Sequence, residues 1–75
     1  MKAKINYRSI NMQKALSLQG NLVVICHDGD KYELLTERFT SVSILLSRLN
    51  RKITDVVLII HYDFTSKTHT VFEVK

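Results

Sequence analysis

The most legible pattern along the chain begins at residue 22. Two apolar stretches, Leu22–His27 and Lys31–Thr36, flank Asp28-Gly29, a dipeptide suited to a two-residue type I′ turn because both central residues need positive φ. Such a turn sets His27 opposite Asp30, Ile25 opposite Tyr32 and Val23 opposite Leu34. Val23, Ile25, Tyr32 and Leu34 then share one face, and Leu22, Val24, Cys26, Glu33 and Leu35 the other.

A change of period follows. Val42, Leu45, Leu46, Leu49 and Ile53 recur at i, i+3, i+4, i+7 and i+11, which predicts a helix over Thr40–Lys52 with Thr40 or Ser41 as its N-cap. Beyond it, Asp55–Tyr62 and Thr68–Lys75 read as a second hairpin around a loop at Asp63–Lys67. Centred on Thr65, that loop pairs Ile60 with Thr70, Leu58 with Phe72 and Val56 with Val74, which gives the helix an apolar sheet to lie on.

Hairpin, helix and hairpin over residues 20–75 resemble a β-grasp-like ββαββ core in architecture. The expectation is an α+β protein with a largely antiparallel sheet of four or five strands packed on one helix, and a single domain over 1–75. Residues 1–19 add an N-terminal strand or short helix. Lys2–Tyr7 reads as a strand, and Asn11–Gln19 as a helix stopped by Gly20 or, from the alternation of Ile10, Met12, Leu16 and Leu18, as a further strand.

In this register Leu22, Val24, Leu35, Val57, Ile59 and Val71 point away from the helix. That is more apolar surface than a monomer usually leaves in water, so they form the expected sheet-face interface. Either the N-terminal segment folds over them with Ile5, Tyr7, Ile10, Met12 and Leu16, or another protein does, a homodimer partner included.

Composition narrows the classes. Seventy-five residues, 45% hydrophobic, with two glycines and no proline, make a folded chain too short for a two-domain enzyme and too apolar for a disordered one. A lone cysteine, Cys26, excludes an internal disulfide and favours a reducing compartment. The longest apolar runs, Leu22–Cys26 and Val56–Ile60, are too short to span a membrane or to serve as a signal segment. A cytoplasmic protein without a membrane partner is expected.

The net charge of +4 is unevenly placed. Lys2, Lys4, Arg8 and Lys14 occur before residue 20 with no acid among them, and Arg38, Arg48, Arg51 and Lys52 form a second acid-free basic stretch. These eight residues are the candidate binding surface for a protein or for phosphate. Cations near a helix C-terminus also complement the helix dipole without any ligand.

Catalytic signals are sparse. The second hairpin's register puts His61 opposite His69 with β-carbons roughly 5 Å apart, the geometry of a metal pair or of an acid and base for RNA cleavage. A metal needs more ligands, and Cys26 falls roughly 13 Å away at strand spacing. The metal reading therefore rests on His61 and His69, with Asp63 in the adjacent loop as the one nearby carboxylate, and no cofactor is expected. His27 points away from Cys26 on a strand, two glycines cannot build a phosphate loop, and no serine sits in a strand-glycine-helix elbow. The first expectation is a non-catalytic interaction module, a small inhibitor or adaptor of the kind phage and other mobile elements encode. It would bind a protein through the sheet face, a strand edge and a basic rim. Nucleic-acid binding is the alternative, and a small ribonuclease toxin the third.

Overall fold

The computed structural model describes residues 4–34 and 41–75. Within them the order is β1 (Lys4–Ile10), α1 (Met12–Leu16), β2 (Asn21–Cys26), β3 (Lys31–Leu34), α2 (Val42–Arg48), a 3-10 turn (Ile53–Asp55), β4 (Val56–Asp63) and β5 (Thr68–Val74). The result is a small α+β fold whose five strands form one mixed sheet in the order β1-β5-β4-β2-β3. Three of its pairings are antiparallel, and β1 lies parallel to β5.

The N-terminal segment is both strand and helix. Asn11 ends β1 and caps α1, its Oδ1 accepting the Lys14 N–H at 2.8 Å, which satisfies one of the donors a helix start leaves unpaired. That cap turns the chain out of the sheet plane, so β1 becomes an edge strand and α1 lies beside α2. A β-grasp core needs its first strand beside and parallel to its last. Here β4 lies between β2 and β5, antiparallel to both, and the neighbouring parallel partner of β5 is β1.

α2 is shorter than the periodicity predicts. Ser41 is its N-cap, its Oγ accepting the Ile44 N–H at 3.3 Å. At the other end Asn50 adopts φ 54°, with the Arg51 N–H on the Leu46 carbonyl and the Asn50 N–H on that of Ser47. This left-handed closure ends the helix at Arg48. Ile53 still packs on the core, but from the 3-10 turn. Thr40 lies outside the described residues.

Both hairpin registers differ by one residue from those the sequence predicts. In the first, Leu22 pairs with Leu34 and Val24 with Tyr32. The Cys26 N–H bonds to the Asp30 carbonyl at 2.8 Å and the Gly29 N–H to the Cys26 carbonyl at 3.0 Å. The loop is therefore His27-Asp28-Gly29, a three-residue turn whose last position needs the positive φ of Gly29, 90° here. In the second hairpin Ile60 pairs with Val71, Ile59 with Phe72 and His61 with Thr70. Its loop, residues 64–67 between the paired Asp63 and Thr68, is one residue shorter than the expected Asp63–Lys67 and closes on Lys67 at φ 54°.

A one-residue slip moves every side chain of a strand to the opposite face, and here the inverted strands are β2 and β4. Leu22, Val24, Cys26, Val56 and Ile59 point at the helices and are buried with Leu34, Val42, Leu46 and Ala15 in one core cluster. Ile10, Leu16, Tyr32, Leu45, Phe72 and Val74 pack around it. β3 and β5 present the faces expected of them. The β2–β4 pairing slips once, between Ile25 and Cys26, so Val57 is the extra residue of a bulge.

Candidate functional site

The sheet has two faces of different character. Helices α1 and α2 and the 3-10 turn cover one. The other, by register, carries Ile5, Tyr7 and Ser9 from β1, His69, Val71 and Glu73 from β5, Leu58, Ile60 and Tyr62 from β4, Asn21, Val23 and Ile25 from β2, and Lys31 and Glu33 from β3. Among the described residues no element lies over this second face. The N-terminal segment does not cover it but widens it, adding Ile5 at 55% exposure and Tyr7 at 76%. Both side chains come from the added edge strand, so they extend the apolar surface laterally.

The face has two shallow hollows. Tyr7, Arg8, Ser9, Leu58, Val71 and Glu73 line one where β1, β5 and β4 meet. The other is lined by Asn21, Val23, Ile60, Tyr62, Phe64 and His69. In the second, the Tyr62 ring meets Phe64 edge-on at 4.7 Å and His69 at 4.5 Å. These contacts hold Phe64, in the β4–β5 loop and 64% exposed, as an aromatic wall at the rim. Fixed aromatic rings beside apolar hollows give a partner side chain a place to insert without ordering a loop first.

The charges of this face neutralise one another. Lys31 lies 4.0 Å from Glu33 and Lys75 lies 3.9 Å from Glu73, so the open face has as many acids as bases. The basic excess lies elsewhere. Lys4 and Arg8 share a face with Thr68 and Phe72, on the helix side of β1, Lys14 is on α1, and Lys52 precedes the 3-10 turn.

The sequence-predicted site residues are redistributed accordingly. Leu22, Val24 and Ile59, expected to face away from the helix, are fully buried beneath it. Val57 is the half-buried bulge residue, and Val71 alone of that group stands on the open face. Leu35, Lys2 and Arg38 lie outside the described residues. Arg48 is the exposed last residue of α2. Arg51 is not available as a surface cation. Its guanidinium donates to Asp28 at 2.8 Å, to Asp30 at 2.8 Å and to the Tyr32 hydroxyl at 3.1 Å, with Asp55 at 3.7 Å. It also lies over the Tyr32 ring, 5.9 Å from the centroid, and is 19% exposed.

This clamp joins the β2–β3 turn to the segment after α2. The Arg51 hydrogen bond, with the Asp30 N–H, holds the Asp28 carboxyl below its ordinary range, and Asp28 in turn raises the guanidinium's already high value. Nearby, burial pushes the Cys26 thiol up, outweighing the opposing pull of Arg51. A buried thiol kept protonated is a core residue rather than a nucleophile.

The histidine pair does not form. His61 is opposite Thr70 and His69 opposite Tyr62, so the two rings point to opposite faces, His61 towards Gly20 and His69 into the aromatic hollow. The acid and base expected for a ribonuclease are thus separated by the sheet. Among the described residues no cluster of three or more His, Cys, Asp or Glu side chains is placed to hold a metal ion, and no helix is long and apolar enough to cross a membrane.

Comparison with protein-family models, with curated proteins and with solved structures finds no match to this chain. The functional reading therefore rests on the chain's own physics.

The open-face residues Val23, Ile25, Leu58 and Ile60 are those the sequence reading assigned to the core. Their apolar character gave no warning, because β2 and β4 are apolar on both sides. A signal was present in the turn: Asp28-Gly29 fits the last two positions of a three-residue loop as well as the centre of a two-residue one, and the longer loop gives the observed register.

Proposed function

We propose that the protein is a non-catalytic interaction module that docks on another protein chain through the open sheet face. The observation that supports this reading is the joint placement of Ile5, Tyr7, Val71, Leu58, Ile60 and Phe64 on one charge-neutral surface with two hollows. Contiguous apolar surface costs free energy in water in proportion to its area, and a partner that covers it recovers that cost. The face also has the make-up of an interface, with aliphatic groups at the centre and aromatic and charged groups towards the rim.

The basic rim has a smaller part in this reading than the sequence assigns it, because Arg51 is committed to the clamp and Lys4 and Arg8 lie on the other side of the sheet. The commitment of Arg51 to Asp28, Asp30 and Asp55 takes one of its central cations from the nucleic-acid alternative. A small inhibitor or adaptor remains the proposed role, acting by occupancy.

Photo-crosslinking in cells that naturally make the protein tests the reading. A photoreactive residue in place of Tyr7 should give covalent protein adducts, and the same residue in place of Lys14 on α1 should not. Adducts from position 14 with none from position 7 would place the interaction on the helix side and overturn the proposal.

A further inference from the structure

The docking reading leaves the occupant open, and the charge distribution narrows it. We infer that the open sheet face is covered by the same face of a second copy of this chain, two five-stranded sheets packing into a sandwich across a two-fold axis. The inference rests on the reading above and adds the identity of the partner.

Three observations support it. First, the face is electrostatically self-compatible. Its charges are the close pairs Lys31–Glu33 and Glu73–Lys75, so a copy laid against it meets neither net attraction nor net repulsion. A basic or acidic partner would gain nothing from such a surface. Lys4, Arg8 and Lys14 are carried on the helix side or the helices, so face-to-face packing turns them outward on both copies.

Second, the area is of the right order. Five strands of four to eight residues, spaced by about 4.8 Å and rising about 3.3 Å per residue, make a face of roughly 24 by 20 Å. That projects on the order of 500 Å² per copy, and side-chain relief carries the two-sided burial towards the lower part of the ~1,200–2,000 Å² range of specific complexes. The expected association is thus reversible.

Third, the competing symmetric arrangement is electrostatically worse. β1 is a seven-residue edge strand with no proline, glycine or bulge, the kind of edge that pairs with a neighbour. Pairing β1 with β1 of another copy would bring two sets of Lys4 and Arg8 onto adjacent strands, where like charges destabilise. It would also leave the apolar face as open as before.

Sedimentation equilibrium of the purified chain, from low micromolar to near-millimolar concentration, tests the inference. The wild type should rise from its 8.7 kDa mass towards twice that value. Tyr7→Lys should weaken self-association by about tenfold or more, since an exposed aromatic beside one hollow is lost and a charge enters on both copies. Ile5→Lys serves as the second variant. Both residues are exposed, so an unchanged circular dichroism spectrum and melting curve separates lost association from lost folding. The double variant Lys4→Glu, Arg8→Glu should associate as the wild type does.

Three results would overturn the inference: a wild type that stays at 8.7 kDa throughout, lysine variants that associate as tightly as the wild type, or association that the Lys4/Arg8 reversal alone strengthens or abolishes. The position-7 crosslink separates this failure from that of the docking reading. An adduct of the chain with itself supports both; an adduct with a different protein leaves docking intact and removes the second copy. Adducts from position 14 only remove both.

Discussion

The two faces of the sheet are built from nearly the same residue types and have different fates. On the helix side Leu22, Val24, Cys26, Val56 and Ile59 are buried. On the open side Val23, Ile25, Leu58 and Ile60, one residue away along the same strands, are only half-buried by their neighbours. Hydrophobicity does not distinguish the two sets. The difference is made by the caps and closures that place the helices, Asn11 on α1 and Ser41 with Asn50 on α2, and by the turn lengths that fix which alternate residues meet them. A small α+β chain whose central strands are apolar on both sides thus carries one core and one surface of equal stickiness, and among the described residues only the first is covered.

The largest effect expected from breaking this contrast is in the core. Leu22→Ala or Ile59→Ala should cost about 2–5 kcal/mol in urea unfolding, by lost transfer energy and the cavity left behind. Ile60→Ala, one position along β4 and facing the other way, should cost about 1 kcal/mol. Equal losses at 59 and 60 would contradict the face assignment.

Next in size is Arg51→Met. It leaves Asp28, Asp30 and Asp55 facing one another without their shared cation, so the melting temperature should fall, by less than for Leu22→Ala. The Asp28 titration, followed by NMR, should move up towards the ordinary carboxylate value. An unchanged Asp28 titration would show that the clamp does not persist in solution.

Acid should reproduce part of that effect. The folded Asp28 and Asp63 carboxyls are held low, Asp28 mainly by Arg51 and Asp63 by the Thr65 N–H. Their contribution is present above the unfolded carboxylate pKa of ~3.9 and lost as pH falls through the lower folded values. Wild type and Arg51→Met should therefore converge in stability below that window. Cys26 gives the opposite sign: its raised thiol pKa contributes below the unfolded value of ~8.5 and is lost as pH rises above it. Its alkylation should be slow in the folded protein and fast in urea.

The smallest effect belongs to the open face itself. Tyr7→Ser and Ile5→Ser should change stability at low protein concentration by no more than about 0.5 kcal/mol, because both side chains already stand in water. A larger loss would mean that these residues serve the monomer's fold rather than a partner.

Much of the fold was legible in the sequence where a pattern had one physical meaning. The Val42–Leu49 periodicity gave α2, the Gly29 turn gave the first hairpin, and β3 and β5, with polar residues on alternate positions, presented the predicted faces. The misread elements are those with two consistent solutions. Leu22–Cys26 and Val56–Ile60 fit either face, so register depended entirely on loop length, and the first loop proved one residue longer and the second one residue shorter than assumed. That slip removed the His61–His69 pair and exchanged the expected interface for the core. Arg51 was misplaced for a related reason: Asn50 ends α2 before it, and its partners Asp28 and Asp30 are twenty-three and twenty-one residues away in the chain.

The central claim, that a second copy docks on the open sheet face and not on the helices, is read most directly from methyl NMR spectra of the wild type over a dilution series. The account predicts that signals of Ile5, Val23, Leu58, Ile60 and Val71 shift together with concentration while those of Ala15, Val42 and Leu46 stay fixed. Shifts confined to the helix side, or none at any concentration, would contradict it.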